Sequence, residues 1–387
     1  MSWDKCKLID LCEVITKGTT PSNIGESFSD VGINYIRSEM ITEFKYINYN
    51  GLKYISPETH EKLKRSQLKA GDILFSMAGF YLGKTAFLCE EDVPANTNQA
   101  VALIRVAEDK CNREYVYYYL NLPNVTKMVN SISGQAAQPN INLKQIGDID
   151  IFLPDREIQD SIVNILSAYD DLIENNHKQI KLLEEAAQRL YKEWFIDLHF
   201  PGYEDTTIVD GIPNEWTTNK LLTITEFRRG KTITKDQVIT GIIPVVAGGL
   251  SPAYYHNKAN TTAPVITVSA SGANAGYVKL YLEDVFASDC SFADTNTTQY
   301  LYFVYCFLKN NNSRIQSMQK GSAQPHVYAK DINAMELLIP PCDILKKFCD
   351  IVKPYFELIR KNEKQIKQAA AARDRLLPKL MSGELEV

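Results

Sequence analysis

Apolar side chains recur every three or four positions along two segments, residues 155–198 and residues 343–381. This spacing predicts an amphipathic helix in each segment, because it puts the apolar side chains on one face. Gly202 and Gly383 mark where the helices should end. Pro354 lies inside the second segment, and Ser167-Ala168 stands at the matching place in the first. Since proline lacks the N–H that a helix interior needs, we expect a break or a kink at Pro354, and a short helix followed by a long one in each segment.

Two other segments alternate apolar runs with glycine-rich turns. They read LKAGDILFSMAGFYLGKTAFL at residues 68–88 and APVITVSASGANAGYVKL at residues 263–280. Apolar runs of strand length on either side of a turn predict a β-hairpin in each segment.

The chain contains an internal repeat. Residues 134–146 read GQAAQPNINLKQI, and residues 321–332 read GSAQPHVYAKDI. With an offset of 186 positions, identities continue without a gap from Gln138/Gln324 into the predicted helices. A match through a loop, a strand and a long helix indicates a duplication.

The repeat also extends upstream, more weakly. Trp3 and Trp216 each begin a stretch that ends in a basic residue and glycine, at positions 17–18 and 229–230. Between these anchors and the Gln-Pro motif the two copies diverge. Each copy therefore has a similar frame, a different middle and a similar helical end.

The two predicted helices carry opposite charge. Residues 155–200 contain ten acidic and five basic side chains, whereas residues 341–387 contain seven acidic and ten basic ones. Opposite charge favours pairing of these unlike helices over self-association. Asn176 and Asn362 either lie within the apolar face of their helices, where a polar residue fixes the register of the helix pair, or lie at the edge of that face. The side chains predicted to pack between the helices are Ile173, Asn176, Ile180, Leu183, Leu190, Ile359, Asn362, Ile366 and Leu376.

Composition is that of an ordinary globular protein. The chain has 387 residues, 45% apolar and 23% charged, which is enough for two or three domains. No apolar run reaches the roughly 18 residues of a membrane span, and we expect no secretion signal. A net charge of −5 argues mildly against nucleic-acid binding, but a local basic face remains compatible with it.

Motifs for catalysis are missing from the sequence. The stretch Gly79–Thr85 lacks the first glycine of a phosphate loop, because Ala78 stands there, so we interpret it as a turn. The eight cysteines include no Cys-x-x-Cys pair, and the five histidines show no metal-ligand spacing. No Asn-Pro-Pro-Tyr motif for amino-methyl transfer is present. We expect no catalysis, no metal and no bound cofactor.

The duplicated order of motifs resembles the specificity (S) subunit of type I restriction-modification systems. The resemblance rests on Trp ahead of Lys/Arg-Gly in each half, AGDILFSMAG, GQAAQPNI with GSAQPHV, LPDREIQDSI and RLLPKLMSGELEV, and it covers essentially the whole chain. It implies an α+β fold: two β-rich mixed target-recognition domains in pseudo-two-fold repeat, separated by two long helices packed as an antiparallel coiled coil. The implied domains are residues 1–153 and 201–340 for recognition, with spacer helix regions at 154–200 and 341–387.

The resemblance also implies a cytoplasmic function in defence against foreign DNA. Each recognition domain would read one half of a double-stranded DNA target. Two methyltransferase (M) subunits would bind S-adenosylmethionine and methylate adenine, and restriction (R) subunits would cleave with ATP and Mg²⁺. Because the two middles differ, the bipartite target should be asymmetric. A helix of about 30 residues spans roughly 45 Å, which suits half-sites about 34 Å apart.

Candidate DNA contacts lie in loops. Arginine and lysine bind guanine or phosphate, and asparagine and glutamine bind adenine. For each candidate, a solvated surface residue or a loop-stabilising hydrogen bond is the alternative. A protein-binding scaffold of two β-rich modules on a coiled coil is the alternative function, and a fused enzyme is a weaker one. The predicted contacts are Arg37, Lys84, Gln99, Gln135 and Gln138 in the first unit, and Arg228, Arg229, Lys231, Asn274, Gln324 and His326 in the second.

Overall fold

The computed structural model of the chain describes residues 3–132, 139–321 and 324–387. They form two units. The first unit comprises Met1–Asn176 and Gln365–Val387, and the second comprises His177–Lys364.

The first unit contains short helices and ten strands among its described residues. Two four-stranded sheets have the orders β2-β9-β6-β7 and β4-β3-β8-β5, and β1 pairs with β10. The strands are β1 (Asp4–Lys7), β2 (Cys12–Lys17), β3 (Ile33–Ile36), β4 (Lys53–Ile55), β5 (Gln67–Leu68), β6 (Ile73–Ser76), β7 (Thr85–Phe87), β8 (Ala95–Thr97), β9 (Val101–Val106) and β10 (Asp150–Leu153). The short helices are α1 (Leu8–Leu11), α2 (Pro57–Lys62), α3 (Arg113–Leu120), α4 (Pro123–Ile132) and α5 (Leu143–Gly147).

Two long helices contribute to both units. They are α6 (Arg156–Phe195) and α10 (Cys342–Met381). Between them in the chain lie three short helices of the second unit: α7 (Leu301–Asn310), α8 (Asn312–Ser317) and α9 (Ala329–Asn333).

The second unit repeats most of the topology of the first, but among the described residues one of its sheets has three strands instead of four, and it has one additional two-stranded sheet. Its sheets have the orders β14-β20-β17-β18, β16-β15-β19, β13-β21 and β11-β12. The strands are β11 (Ile208–Val209), β12 (Ile212–Pro213), β13 (Thr217–Lys220), β14 (Arg228–Arg229), β15 (Thr240–Val246), β16 (Tyr254–His256), β17 (Val265–Ser269), β18 (Val278–Tyr281), β19 (Phe286–Ala287), β20 (Cys290–Asp294) and β21 (Glu336–Ile339).

Both predicted hairpins are confirmed. Strands β6 and β7 pair antiparallel, with Ile73 opposite Phe87, and β17 and β18 pair antiparallel, with Val265 opposite Tyr281. Each hairpin occupies the same place in its four-stranded sheet. The duplication seen in the sequence therefore extends into the divergent middles as a shared topology.

The predicted helix breaks are wrong. Helices α6 and α10 each run for 40 residues without interruption, through Ser167-Ala168 and Pro354 respectively. Pro354 lies on the exposed face of α10, and so does Asp350, whose carbonyl lacks its usual partner. Because water can bond that carbonyl, the helix tolerates the proline.

In the second unit, α6 and α10 pack antiparallel. The ring centroids of Phe195 and Phe348 lie 5.0 Å apart, and farther along the pair Asn362 donates a hydrogen bond of 3.1 Å to Gln179. Of the side chains predicted to pack here, Ile359 and Asn362 are buried. The partly buried members that contact the same core are Ile180, Leu183 and Leu190.

In the first unit, α6 and α10 meet around a buried ion pair. Arg373 Nη1 donates to Asp170 Oδ1 at 2.5 Å, and the Tyr118 hydroxyl donates to Asp170 Oδ2 at 2.6 Å. The Asp170 and Arg373 side chains are only 2% and 10% exposed. Of the predicted packing residues, Ile173, Asn176 and Ile366 are buried, and Leu376 packs against the core. The α+β class, with β-rich units and long helices packed antiparallel, is confirmed.

Candidate nucleic-acid interface

In the first unit, three segments meet at the tip of the β6–β7 hairpin. The Gly79 N–H donates to the Pro139 carbonyl at 3.0 Å, and the Ile141 N–H donates to the Met77 carbonyl at 2.9 Å. The Met77 N–H in turn donates to the Ala100 carbonyl at 2.8 Å. The segment after the Gln-Pro motif and the turn before β9 therefore brace the hairpin tip from two sides.

The second unit has the same brace. The Gly272 N–H donates to the Pro325 carbonyl at 3.0 Å, and the Val327 N–H donates to the Ala270 carbonyl at 3.0 Å. The Ala270 N–H donates to the Asp289 carbonyl at 3.3 Å. Pro139 and Pro325 stand 186 positions apart, so the repeated motif has the same backbone role in both units.

Each basic anchor, Lys17 in the first unit and Arg229 in the second, is followed by a glycine whose backbone lies very close to the backbone of another segment. A Cβ atom on Gly18 would lie 2.0 Å from the Thr97 carbonyl oxygen, and one on Gly230 would lie 2.3 Å from the Ser288 carbonyl oxygen. Real Cβ atoms do not come so close to backbone atoms. Only glycine therefore lets the basic anchor lie against the turn that braces the hairpin.

Both hairpin tips have the same backbone frame but different side chains. Positive φ angles of +71° and +80° occur at Gly79 and Gly83, and angles of +79° and +85° occur at Gly272 and Gly276. These angles favour glycine over residues that carry a Cβ atom. Between the glycines, the first tip reads Phe-Tyr-Leu and the second reads Ala-Asn-Ala. The repeated frame thus presents a different surface in each unit.

Two of the predicted contacts in the first unit lie near its tip. Lys84 follows the tip, and its ammonium lies 3.7 Å from Glu43. Gln99 is exposed in the bracing turn and accepts a hydrogen bond from Thr20. Gln135 and Gln138 lie outside the described residues.

Arg37 is occupied within the protein. Its Nη2 donates to the Gly51 carbonyl at 3.0 Å, and its Nη1 lies 2.6 Å from Glu39. These contacts hold the guanidinium against the loop that carries Gly51, and a DNA contact of Arg37 stays a prediction.

The basic anchor of the second unit has two ion-paired arginines. Arg228 pairs with Glu226 at 2.9 Å, and Arg229 pairs with Asp289. Asp289 also accepts a hydrogen bond from the Ser271 hydroxyl at the base of the tip. Arg229 is thus connected to the hairpin tip through one carboxylate. Lys231 is exposed beside this pair of arginines.

The remaining predicted contacts of the second unit lie on the tip and its brace. Asn274 is half-buried on the tip, and Gln324 is exposed in the brace. His326 forms an isolated antiparallel β-bridge with Ser271. Its ring stacks on the Tyr328 ring, with the two centroids 6.0 Å apart. The structure therefore brings Arg229, Asn274 and His326 together around one hairpin tip.

Sequence reasoning missed Phe80 and Asp289. Phe80 is 88% exposed at the first tip, more than any other large hydrophobic side chain in the described ranges. An aromatic pair enclosed by two turn glycines was the available signal. Asp289 had no signal, because its role depends on partners 60 and 18 positions away.

Burial disfavours the thiolate form of the cysteine near the second tip. Burial raises the pKa of Cys290 to about 12, so the group is protonated at neutral pH. All eight cysteines are free. Within the described part of the chain, no group of three His, Cys, Asp or Glu side chains could hold a metal ion. No helix in those same ranges is long and apolar enough to cross a membrane.

Two β-rich units with one frame and different tips define a double recognition module. Residues 1–185 and 213–371 match the family described as type I restriction modification DNA specificity domain. Since these ranges include most of the chain, the chain belongs to that family. Its function is recognition of DNA sequence within a restriction-modification system, and the protein-binding scaffold is not favoured.

Similar proteins agree with this assignment. The chain is 28% identical to the MjaIX specificity subunit of Methanocaldococcus jannaschii, over 100% of this chain and 94% of that protein. It is 30% identical to the EcoBI specificity subunit of Escherichia coli, over 39% of this chain and 31% of that protein. The crystal structure of a type I S subunit from M. genitalium has the same fold, with a TM-score of 0.57 at 18% identity, covering 98% of this chain and 96% of the other.

Proposed function

We propose that the chain reads an asymmetric bipartite DNA target, with each hairpin tip and its brace facing one half-site. The observation that carries the proposal is the shared brace with different tips: Phe80-Tyr81-Leu82 in one unit and Ala273-Asn274-Ala275 in the other. A common frame gives both units the same way of approaching a duplex. Different side chains then select different bases.

The partners supply the chemistry. Two methyltransferase subunits bind S-adenosylmethionine and methylate adenine, and restriction subunits use ATP and Mg²⁺ to cleave unmodified DNA in the cytoplasm. The chain itself binds no cofactor and catalyses no step. The part of the frame that the two units share, away from the different tips, suits two copies of one partner. The recognition domains are residues 1–153 and 201–340, and the spacer helix regions are 154–200 and 341–387.

Charge supports a division of labour in DNA binding. Residues 205–340 contain eleven basic and eleven acidic side chains, so this part of the chain has no net attraction for phosphates. Several of the basic side chains near the tips are paired with carboxylates, as Arg228 and Arg229 are. We infer that the methyltransferase subunits complete the positive surface around the duplex, while the chain contributes sequence discrimination.

The Asn274→Ala variant tests the proposal at one base pair. Asparagine bonds adenine through two hydrogen bonds, so its loss should reduce discrimination at one position by roughly tenfold to a hundredfold. Only the half-site read by the second unit should change. Methyl transfer by the purified complex to duplexes with single substitutions measures the effect. Asn312→Ala, at an exposed residue that begins α8, is the matched control. An equal loss of base discrimination at both half-sites, or no loss at either, contradicts the proposal.

The Lys231→Ala variant should weaken binding to all duplexes alike. An exposed lysine that contacts a phosphate contributes affinity without sequence preference. We expect the slope of log affinity against log salt concentration to fall by about one. Filter binding of the complex between low and moderate salt measures this slope. Lys309→Ala, at the exposed end of α7, should leave it unchanged. An unaltered slope for Lys231→Ala would remove this residue from the interface.

A further inference from the structure

The tip of the first unit presents an exposed aromatic pair on a fixed turn. Phe80 and Tyr81 pack edge to face, with centroids 5.2 Å apart and an interplanar angle of 87°. The Lys84 ammonium lies 5.9 Å from the Phe80 centroid and 5.5 Å from the Tyr81 centroid. Single exposed apolar side chains are common, but here a second ring and a cation both contact the exposed ring.

The turn that carries Phe80 is held rigidly. A short 3-10 helix spans Gly79–Tyr81, and Gly79 is bonded to Pro139. The Gly83 N–H donates to the Ser76 carbonyl at 2.9 Å, and the Lys84 N–H donates to the Tyr81 carbonyl at 3.0 Å. An aromatic side chain with few conformations loses little entropy when it contacts a partner.

The second unit has no such side chain in the same place. Ala273 follows Gly272 as Phe80 follows Gly79, and both glycines bond the proline of the Gln-Pro motif. A partner that binds the two units alike would meet the same surface twice. Phe80 therefore faces a ligand that differs between the units, as the two halves of an asymmetric DNA target do.

We propose that Phe80 is a wedge that enters the base stack of the half-site read by the first unit and unstacks one base step there. The inference rests on the proposed function and extends it to a one-sided distortion of the DNA. Apolar wedges of this kind separate neighbouring bases and bend the duplex. Tyr81 and Lys84 support the ring from the protein side, and Lys84 also lies within reach of the flanking phosphates in such a complex.

The test uses the purified complex with its methyltransferase subunits and a duplex that carries the mapped target. Single 2-aminopurine substitutions through the target report unstacking as increased fluorescence. We expect a signal at the methylated adenine, which such enzymes rotate out of the helix, and a second signal at one step of the first half-site. The first half-site is the one that Asn274→Ala leaves unchanged.

Phe80→Ala should abolish the second signal, keep the first, and weaken binding roughly tenfold. Phe80→Trp should retain both signals. Ile242→Ala removes an equally exposed apolar side chain, 86% accessible in the second unit, and should change neither signal. Because Phe80 is exposed, we expect its alanine variant to unfold at the same temperature as the native chain.

Three results would overturn the wedge. They are a second signal that persists in Phe80→Ala, no second signal in a native complex that binds its target, and loss of the methyltransferase subunits from the Phe80→Ala complex. The last would make Phe80 a protein contact. Failure of the native complex to bind the mapped duplex at all would instead contradict the proposed function itself.

Discussion

Replacing Arg373 with alanine should lower the free energy of unfolding by about 3–5 kcal/mol. The change leaves the Asp170 carboxylate buried, 2% exposed, without its cation. The Tyr118 hydroxyl still donates to Asp170, but one neutral hydrogen bond does not compensate a buried charge. Denaturation by guanidinium, followed by circular dichroism, measures the loss.

Arg373 itself does not titrate near neutrality in the native chain. Burial alone would lower the pKa of Arg373, but Asp170 and Asp374 outweigh burial, and the net effect raises the pKa. The guanidinium therefore stays charged in the folded protein throughout the range in which the protein functions.

The repeat itself supplies the control for this prediction. At the 186-residue offset, Phe356 stands at the position of Asp170, and Ala187 stands at the position of Arg373; both are 1% exposed in the core of the second unit. The triple variant Tyr118→Phe, Asp170→Phe, Arg373→Ala introduces the same two apolar residues at positions 170 and 373 and removes all three polar partners. Since the paired volumes are similar, it should recover stability to within about 1.5 kcal/mol of the native chain. A triple variant as unstable as Arg373→Ala would show that the charge was not the cause.

Replacing Gly230 with alanine should disrupt the second recognition unit. The new Cβ would lie 2.3 Å from the Ser288 carbonyl oxygen and 2.7 Å from the Ala287 carbonyl carbon, and neither backbone atom can rotate away. The anchor that carries Arg229 must therefore move off the bracing turn. We expect a loss of about 3 kcal/mol in the free energy of unfolding. We also expect methylation at the native target to be lost.

Gly249→Ala is the matched control in the same unit. Its nearest neighbour, the Ser251 carbonyl oxygen, would lie 3.4 Å from the new Cβ, an ordinary contact. This variant should stay within about 0.5 kcal/mol of the native chain. If the two glycine variants were equally stable and equally active, the close approach at Gly230 would have no structural importance.

The duplication and the hairpins were predictable because they depend on local patterns. Alternating apolar runs and turn glycines determine β6–β7 and β17–β18 wherever they occur in a chain. The helix breaks were predicted wrongly by an equally local rule. A proline removes one backbone hydrogen bond from a helix, and the exposed face around Pro354 gives water access to the freed carbonyl.

The pairing of the two long helices was predicted from their apolar faces and opposite charge, but individual long-range polar contacts were not predictable. Asp170 and Arg373 are 203 positions apart, and no period or motif relates them. The same holds for the candidate site. Lys84 and Asn274 could be placed at hairpin tips because glycines mark the tips, whereas the bond from Arg37 to Gly51 could not be predicted because it exists only in the folded chain. The exposure of Phe80 likewise became visible only in the structure.

The most direct test of the central claim is a map of methylated bases by long-read sequencing. Cells that make this chain with its methyltransferase subunits are compared with cells that make the methyltransferase subunits alone. Methyl-adenine should appear only with the chain, within one motif split into two different halves. No new motif, in cells where the methyltransferase is active and bound to the chain, would contradict the account.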